Sequence, residues 1–391
     1  MKEVYIVSVA RTPIGSFNGA LSSLSALELG KVAIQKAMER AGINGDQVDE
    51  VIMGNVLSAN VGQAPARQVS ILAGIRNSAR ATTINKVCAS GLKAITLAAQ
   101  SIMLGDSDVV VAGGMESMTN APFYLPSGRS GIRYGNGQII DAIVKDGLQD
   151  PYNGNMMGNT AELCASTYKF TREQQDAYSV ESYKRAADAY ANGYFNDELA
   201  PVTISSRKGD VVVAEDEEYK NFNAARVGTA RPAFIKDGTV TGVNSSKIND
   251  GAAAVVLMSK EKAEELGIKP LAKVLSYADA EQAPDWFTTS PAIAIPLAVK
   301  KAGKTMSNVD LYEINEAFAV VALANIEEMK LDAEKVNVFG GAVSLGHPLG
   351  ASGARIVATL VSALNHKNGK IGAAGICNGG GGASAIVIEK M

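Results

Sequence analysis

Residues 84–95, INKVCASGLKAI, set Cys88 between a β-branched approach and a helix that opens on small residues. A thiol at a helix N-terminus meets partial positive charge and free N–H groups, which favour the thiolate, the nucleophilic form. Ala89, Ser90 and Gly91 leave room for a substrate to reach it. The plainer alternative is an apolar cysteine packed in a core. A second thiol, Cys377, stands in ICNGGGGASA (376–385), where four glycines follow Asn378. Such a run either turns successive backbone N–H groups inward as an anion nest, with Gly379 first in line, or forms a flexible loop. His347 lies in GGAVSLGHPLGASGAR (340–355), an apolar, glycine-punctuated stretch unusual for a solvated imidazole. The only other histidine, His366, is in the polar turn NHKNGK and reads as a surface residue. Asn315 and Glu316 interrupt the apolar passage YEINEAFAV (312–320), as site residues or as a helix cap. Cys164, in TAELCASTYKF, has the spacing of a packed core position. Two thiols with no disulfide partner, beside an imidazole and an N–H donor loop, suggest two separate roles, one thiol acting as nucleophile and the other as proton carrier.

Three of these groups stand at comparable strand ends of an internal repeat. AIQKAMERAGINGDQVDEVIMGN (33–55) aligns without gaps on AIPLAVKKAGKTMSNVDLYEINE (294–316). Each copy reads as an amphipathic helix closed near a glycine, then a short apolar strand. Almost the same offset lays Ala89-Ser90-Gly91 on Ala351-Ser352-Gly353, and both tripeptides open apolar helical runs. Each run leads to a strand ending in glycines, DVVVAGG (108–114) and IGAAGICNGGGG (371–382). A common offset and order argue for duplication, and alternating strands and helices argue for an α/β fold with largely buried sheets. Residues 119–249 have no counterpart in the second copy and read as an insertion, with one clear helix N-capped by Thr171. INDGAAAVVLMS then returns as a strand of the first half, giving units of 1–118 completed by 250–268, 119–249, and 269–391. Long insertions on a rigid scaffold tend to carry ligand contacts.

Composition narrows the class. Hydrophobic residues make up 47% and charged residues 20% of the 391, as in an ordinary globular protein. A net charge of −3 without a basic stripe argues against nucleic-acid binding. Three widely spaced cysteines do not suggest a disulfide framework, and no CxxC or Cys/His spacing suggests zinc. The start, MKEVYIVSVARTP, has no apolar signal core, and no run is expected to reach a membrane span of ~20 residues. A cytoplasmic location is the expectation.

NKVCASGLKA, GGMESM, NEAF, GGAVSLGHPLGASGAR and CNGGGGASA closely resemble the motifs of the thiolases, in the family's order and over essentially the whole chain. NKVCASG with CNGGGGASA is most similar to the acetoacetyl-CoA thiolases, or acetyl-CoA C-acetyltransferases. The resemblance implies a five-layered αβαβα fold of two similar halves with an inserted loop domain, assembled as a homotetramer. It implies reversible condensation of two acetyl-CoA to acetoacetyl-CoA and CoA, with no cofactor. By resemblance Cys88 accepts the acetyl group, and His347 helps form its thiolate. His347 also binds the thioester oxygen of the second acetyl-CoA with a water held by Asn315. Cys377 removes the α-proton, and the N–H groups of Cys88 and Gly379 form the oxyanion hole. Ser246 of GVNSSKINDG matches a serine near the pantetheine, Arg226 a basic residue near the nucleotide phosphates, and Met157, Phe234 and Phe318 the tunnel wall. Phe234 and Phe318 also fit ordinary core positions.

Tyr183, Val243 and Val343 are similar to positions that hold a monovalent cation in some potassium-activated members. One departure is Met156-Met157-Gly158, where many biosynthetic members carry His-Met-Gly, so acyl-chain selectivity is left open. The alternative enzyme is a broader 3-ketoacyl-CoA thiolase of fatty-acid breakdown. A decarboxylating condensing enzyme usually has a second histidine in place of the cysteine base, and CNGGGG argues against it. A non-catalytic, lipid-binding or scaffolding relative typically loses the cysteines or the glycine loop, which this chain keeps.

Overall fold

The computed structural model describes residues 1–207 and 209–391. The first half runs β1 (Val4–Arg11), β2 (Gly15–Ser16), α1 (Ala26–Ala41), β3 (Glu50–Gly54), α2 (Pro65–Leu72), β4 (Arg80–Ile84), α3 (Ser90–Leu104) and β5 (Val109–Ser117). Next come the hairpin β6 (Phe123–Tyr124) and β7 (Ile140–Asp141), helices α4 (Met157–Tyr168) and α5 (Arg172–Ala191), and the pair β8 (Val202–Ile204) and β9 (Val211–Val213). The chain returns as β10 (Asn249–Ser259) and α6 (Lys260–Glu265). The second half follows as β11 (Ala272–Glu281), α7 (Pro291–Lys301), β12 (Leu311–Ile314), α8 (Ala319–Met329), α9 (Ala342–Leu345), α10 (Leu349–His366), β13 (Ile371–Asn378) and β14 (Gly382–Lys390).

The main strands hydrogen-bond in the order β12-β13-β14-β11-β1-β10-β5-β3-β4, with β2 beside β10. The halves join in this sheet where β1 pairs with β11, through Tyr5 with Lys273 and Ile6 with Ala272. Period-2 alternation decides which side of each strand meets which core. Val255 and Leu257 of β10 and Ile386 and Ile388 of β14 face a shared central core with α3 and α10. Their alternating neighbours face outward, Val256 and Met258 onto α1, and Ala385 and Val387 onto α7. Three cores between helix and sheet layers make the five-layered αβαβα arrangement.

The repeat is legible in detail. α1 and α7 are both followed by a glycine at φ +67°, Gly42 and Gly303, a conformation only glycine adopts at low cost. α3 and α10 lie side by side in the central layer, and their N-terminal glycines set the spacing. A Cβ on Gly91 would stand 2.8 Å from the Ala354 nitrogen, and one on Gly353 would stand 2.3 Å from the Leu92 nitrogen. The window Val87–Leu104 is long and apolar enough for a membrane span by length and composition, contrary to the sequence expectation. Its greater part is α3, apolar because sheets cover it on both sides.

The insertion leaves after β5 and returns as β10, between β1 and β5. Its helices α4 and α5 nevertheless pack on α8 of the other half. Thr171 caps α5 through a reciprocal pair with Gln174. The insertion therefore spans both halves and lies over the ends of the strands that carry the candidate residues.

Candidate active site

Val87 has φ +46°, unfavourable for a β-branched residue, and this sharp turn between β4 and α3 presents Cys88. Ser90 holds the turn, accepting from the Lys86 N–H at 2.8 Å and donating to the Val87 carbonyl at 2.6 Å. Lys86 and Lys93 then reach Asp279 of β11 at 3.0 and 2.6 Å, tying the loop to the second half. Cys88 is half-buried. The sequence places this thiol where a helix terminus favours thiolate. The structure corrects that: burial dominates and pushes the thiol up to about 12, against the backbone N–H groups of Cys88 and Gly379, which act in the opposite sense. The resting group is a thiol that needs a base.

Ser352, the repeat partner of Ser90, does the matching work for His347. Its oxygen lies 2.6 Å from Nδ1, and its hydroxyl donates to the Pro348 carbonyl at 2.8 Å. With that single proton given to the carbonyl, Nδ1 is the donor and Nε2 carries the lone pair. Nε2 is buried and without a partner among the described residues. The His347 N–H donates to Asn249 Oδ1 at 2.8 Å, fixing the loop. Burial, then the charge of Arg355, lowers the imidazole to about 3, so it is neutral at physiological pH.

Glu116, of GGMESM, seals the place where the halves meet. Its carboxylate accepts from Asn55 Nδ2 at 2.8 Å, Val56 N–H at 3.0 Å, Leu57 N–H at 3.1 Å and, across the halves, Gly350 N–H at 2.8 Å. Burial still raises it to about 7. Glu116, Asn249 and Ser352 do not stand out in the sequence as site residues; the repeated Ala-Ser-Gly was the available signal for Ser352.

Cys377 ends β13 and is 1% exposed. Burial first, then its proximity to Cys88, raises this thiol well above the ordinary range. The glycine loop is ordered, with Gly380 and Gly381 at positive φ. A Cβ on Gly379 would stand 3.4 Å from Met157 Sδ and 3.9 Å from Val87 Cγ1, so this loop, α4 and the Cys88 turn converge. Cys377 shares an apolar cluster with Phe318, Cys164, Met157 and Phe234. The Phe234 and Phe318 rings meet edge-on at 6.0 Å. Asn315 is 1% exposed; Oδ1 accepts from Arg355 at 3.5 Å, and Nδ2 has no partner among the described residues.

Ser246 is half-buried beside Phe318, its N–H donating to the Ala317 carbonyl at 3.0 Å. Next to it opens a cavity of about 580 Å³ lined by Arg226, Arg231, Lys247, Tyr183, Val243 and Glu218 among others. Val343 lies apart from that lining, its N–H donating to Glu316 at 3.1 Å. Among the described residues, no three His, Cys, Asp or Glu side chains are grouped to hold a metal ion. The arrangement combines a nucleophile, a neutral base, a second thiol and convergent N–H donors, which is what acyl transfer coupled to carbanion chemistry requires.

The sequence matches the family models "Thiolase, N-terminal domain" over residues 4–261 and "Thiolase, C-terminal domain" over 268–390. It is 57% identical over 392 residues to an acetyl-CoA acetyltransferase of Candida albicans, covering 99% of this chain and 98% of that protein. It is 57% identical over 390 residues to a Gibberella zeae protein named as a cytosolic acetyl-CoA acetyltransferase, with 99% and 98% covered. Among solved structures, the Acat5 thiolase of Ascaris suum in complex with coenzyme A superposes with a TM-score of 0.94 at 51% identity, each chain covered fully. The Bacillus anthracis acetyl-CoA acetyltransferase gives 0.98 at 41% identity, with 100% and 99% covered. Matched along both halves, and with its motifs brought together at their junction, the chain belongs to the thiolase family.

Proposed function

We propose that the chain is an acetyl-CoA C-acetyltransferase, interconverting two acetyl-CoA with acetoacetyl-CoA and CoA through an acetyl-cysteine. The observation that carries this reading is the convergence of the Cys88 turn, the unpartnered His347 Nε2 and the Cys377 loop at the junction of the halves. Neutral His347 takes the Cys88 proton as Sγ attacks the thioester carbonyl. The oxyanion accepts from the N–H groups of Cys88 and Gly379, and coenzyme A leaves with the proton as a thiol. Cys377 then passes its proton to His347 Nε2 and, as the thiolate, removes an α-proton from a second acetyl-CoA. Its enolate oxygen accepts from His347 and from a water on Asn315 Nδ2. The enolate carbon attacks the acetyl group, a C–C bond forms, the bond to Cys88 breaks, and the departing Cys88 thiolate takes the proton back from His347.

Order follows from charge. Negative charge on Cys88 opposes ionisation of Cys377. Once acetylated, Cys88 can no longer ionise, so Cys377 loses its proton without that opposing charge.

Met157, Phe234 and Phe318 are proposed as the apolar wall for pantetheine, Ser246 as a polar contact to it, and Arg226 with Arg231 and Lys247 as the phosphate end. The cavity's three cations face one carboxylate, Glu218, a lining suited to an anion rather than to a monovalent cation beside Tyr183 and Val243. No step is routed through such an ion. Equal rates in potassium and in a bulky organic cation are expected. The open edge strand β4 and the exposed apolar hairpin around Phe123, Tyr134 and Ile139 support a homotetramer. A relative named as cytosolic supports a cytoplasmic location.

The test is thiolysis of acetoacetyl-CoA and 3-ketohexadecanoyl-CoA side by side. Turnover favouring the short substrate is expected; faster cleavage of the long one would overturn the assignment.

A further inference from the structure

Arg355 is an anomaly in the central layer. It sits on α10, two turns beyond His347, in a helix whose residues from Leu349 to Leu364 are all buried, and it is itself 2% exposed. A guanidinium loses strong hydration there, and an apolar pair of similar volume often packs at least as stably as a buried ion pair. Its partners are Glu313 and Asn315, two residues apart and so on one face of β12 as that strand runs out. Nη1 donates to Glu313 Oε2 at 3.3 Å, and Nη2 to Asn315 Oδ1 at 3.5 Å. Glu313 is 1% exposed.

A guanidinium has five donors and no acceptor. Any amide facing it must therefore offer oxygen, which turns the amide's nitrogen the other way. In Asn315 that nitrogen is buried, and no group among the described residues receives its hydrogens. Without Arg355 the amide could turn over at little cost and present an acceptor where the reaction calls for a donor. We propose that Arg355, held by Glu313, is a positioning residue for carbon–carbon bond formation: it fixes the Asn315 amide so that Nδ2 faces the reacting enolate. The neighbouring charge also favours the neutral imidazole of His347. This inference rests on the thiolase reading of Asn315 given above.

The test separates the two half-reactions. Acetyl loading of Cys88 is followed by mass spectrometry, and α-proton exchange of acetyl-CoA by deuterium incorporation. The variants are Arg355→Lys, which keeps the charge and loses the fork, and the pair Arg355→Met with Glu313→Gln, which removes the guanidinium and its carboxyl partner together. Loading within about threefold of wild type and exchange lower by about 10²-fold are expected, since misplacing one reacting group costs that order. Asn315→Ala supplies the discriminating background. If Arg355 acts through Asn315, adding either Arg355 change to Asn315→Ala produces no further loss of exchange. Parallel loss of loading and exchange, or additive losses with Asn315→Ala, would overturn the role. Should the paired variant not fold, the Arg355→Lys cycle alone decides. A wild type that loads no acetyl group at Cys88 defeats the thiolase reading itself. One that loads and exchanges normally upholds that reading, and a failure in the Arg355 variants then counts against the positioning role alone.

Discussion

Cys88→Ser is expected to abolish the acetyl adduct, because an alkoxide is far harder to form than a thiolate and the turn already disfavours charge. Intact-mass analysis after acetyl-CoA incubation checks it; an adduct elsewhere with Cys88 free would refute the nucleophile. His347→Ala should slow both half-reactions by about 10²–10³. Cys377→Ala should load acetyl but fail to exchange α-protons, since acylation needs a nucleophile and a hole whereas carbanion formation needs a base. Normal exchange with lost loading would invert the two thiols. pH adds a further handle. His347 titrates near 3, so it contributes no inflection near neutrality, whereas Glu116 is at about 7. Below that value Glu116 gains a proton and can no longer accept from all its donors. Activity is therefore expected to fall as pH drops through about 7, and Glu116→Gln should flatten the profile. A limb that survives unchanged in Glu116→Gln excludes this carboxylate as its source.

At the scale of elements, reactive geometry depends on how closely α3 approaches α10. Gly353→Ala would force the helices apart at the Leu92 nitrogen and is expected to cost about 1–3 kcal/mol of stability. It should also lower turnover disproportionately, as Cys88 and His347 stand just before the N-termini of these two helices. Thermal melts and acetoacetyl-CoA thiolysis on one preparation test both. Asp279 gives a second element-scale prediction. Burial raises it, but hydrogen bonds from Lys93, Ser384 and Lys86 outweigh that and bring it to about 2. A carboxyl depressed on folding contributes stability above its unfolded value, 3.8, and loses it as pH falls toward about 2. Asp279→Asn should cost about 1–2 kcal/mol at neutral pH, discounted for partial exposure, with the gap narrowing below pH ~4. A gap that is constant with pH would reject the clamp.

For the whole molecule, Tyr134→Ser with Ile139→Ser is expected to reduce the proposed tetramer to dimers while thiolysis continues; light scattering reads the first and the standard assay the second. Unchanged assembly mass would clear that hairpin of any role. The repeat, the insertion and the Thr171 cap were legible in the sequence because each rests on local pattern: periodicity, offset, capping residues. Cys88, His347 and Cys377 were legible as residue types in unusual settings. Other features depend on which loops meet, and no local pattern encodes that. Glu116 works by receiving donors from residues 55–57 and 350, and Arg355 works through a strand 40 residues earlier. The thiol's raised value had the same origin: the helix terminus was visible in the chain, whereas the burial that outweighs it was not.

Because α10 is buried along nearly its whole length between sheets from both halves, neither half has an inner face of its own to keep dry. A fragment ending near residue 268 would expose the inner faces of β1, β5 and β10, and the remaining fragment would carry a bare apolar helix. Unfolding should thus be a single concerted event despite the two-part architecture. Fragments expressed separately would be insoluble or inert, yet together they would recover thiolysis only on docking. The chain is then a natural complementation pair, with acetyl transfer as the signal that two polypeptides have met.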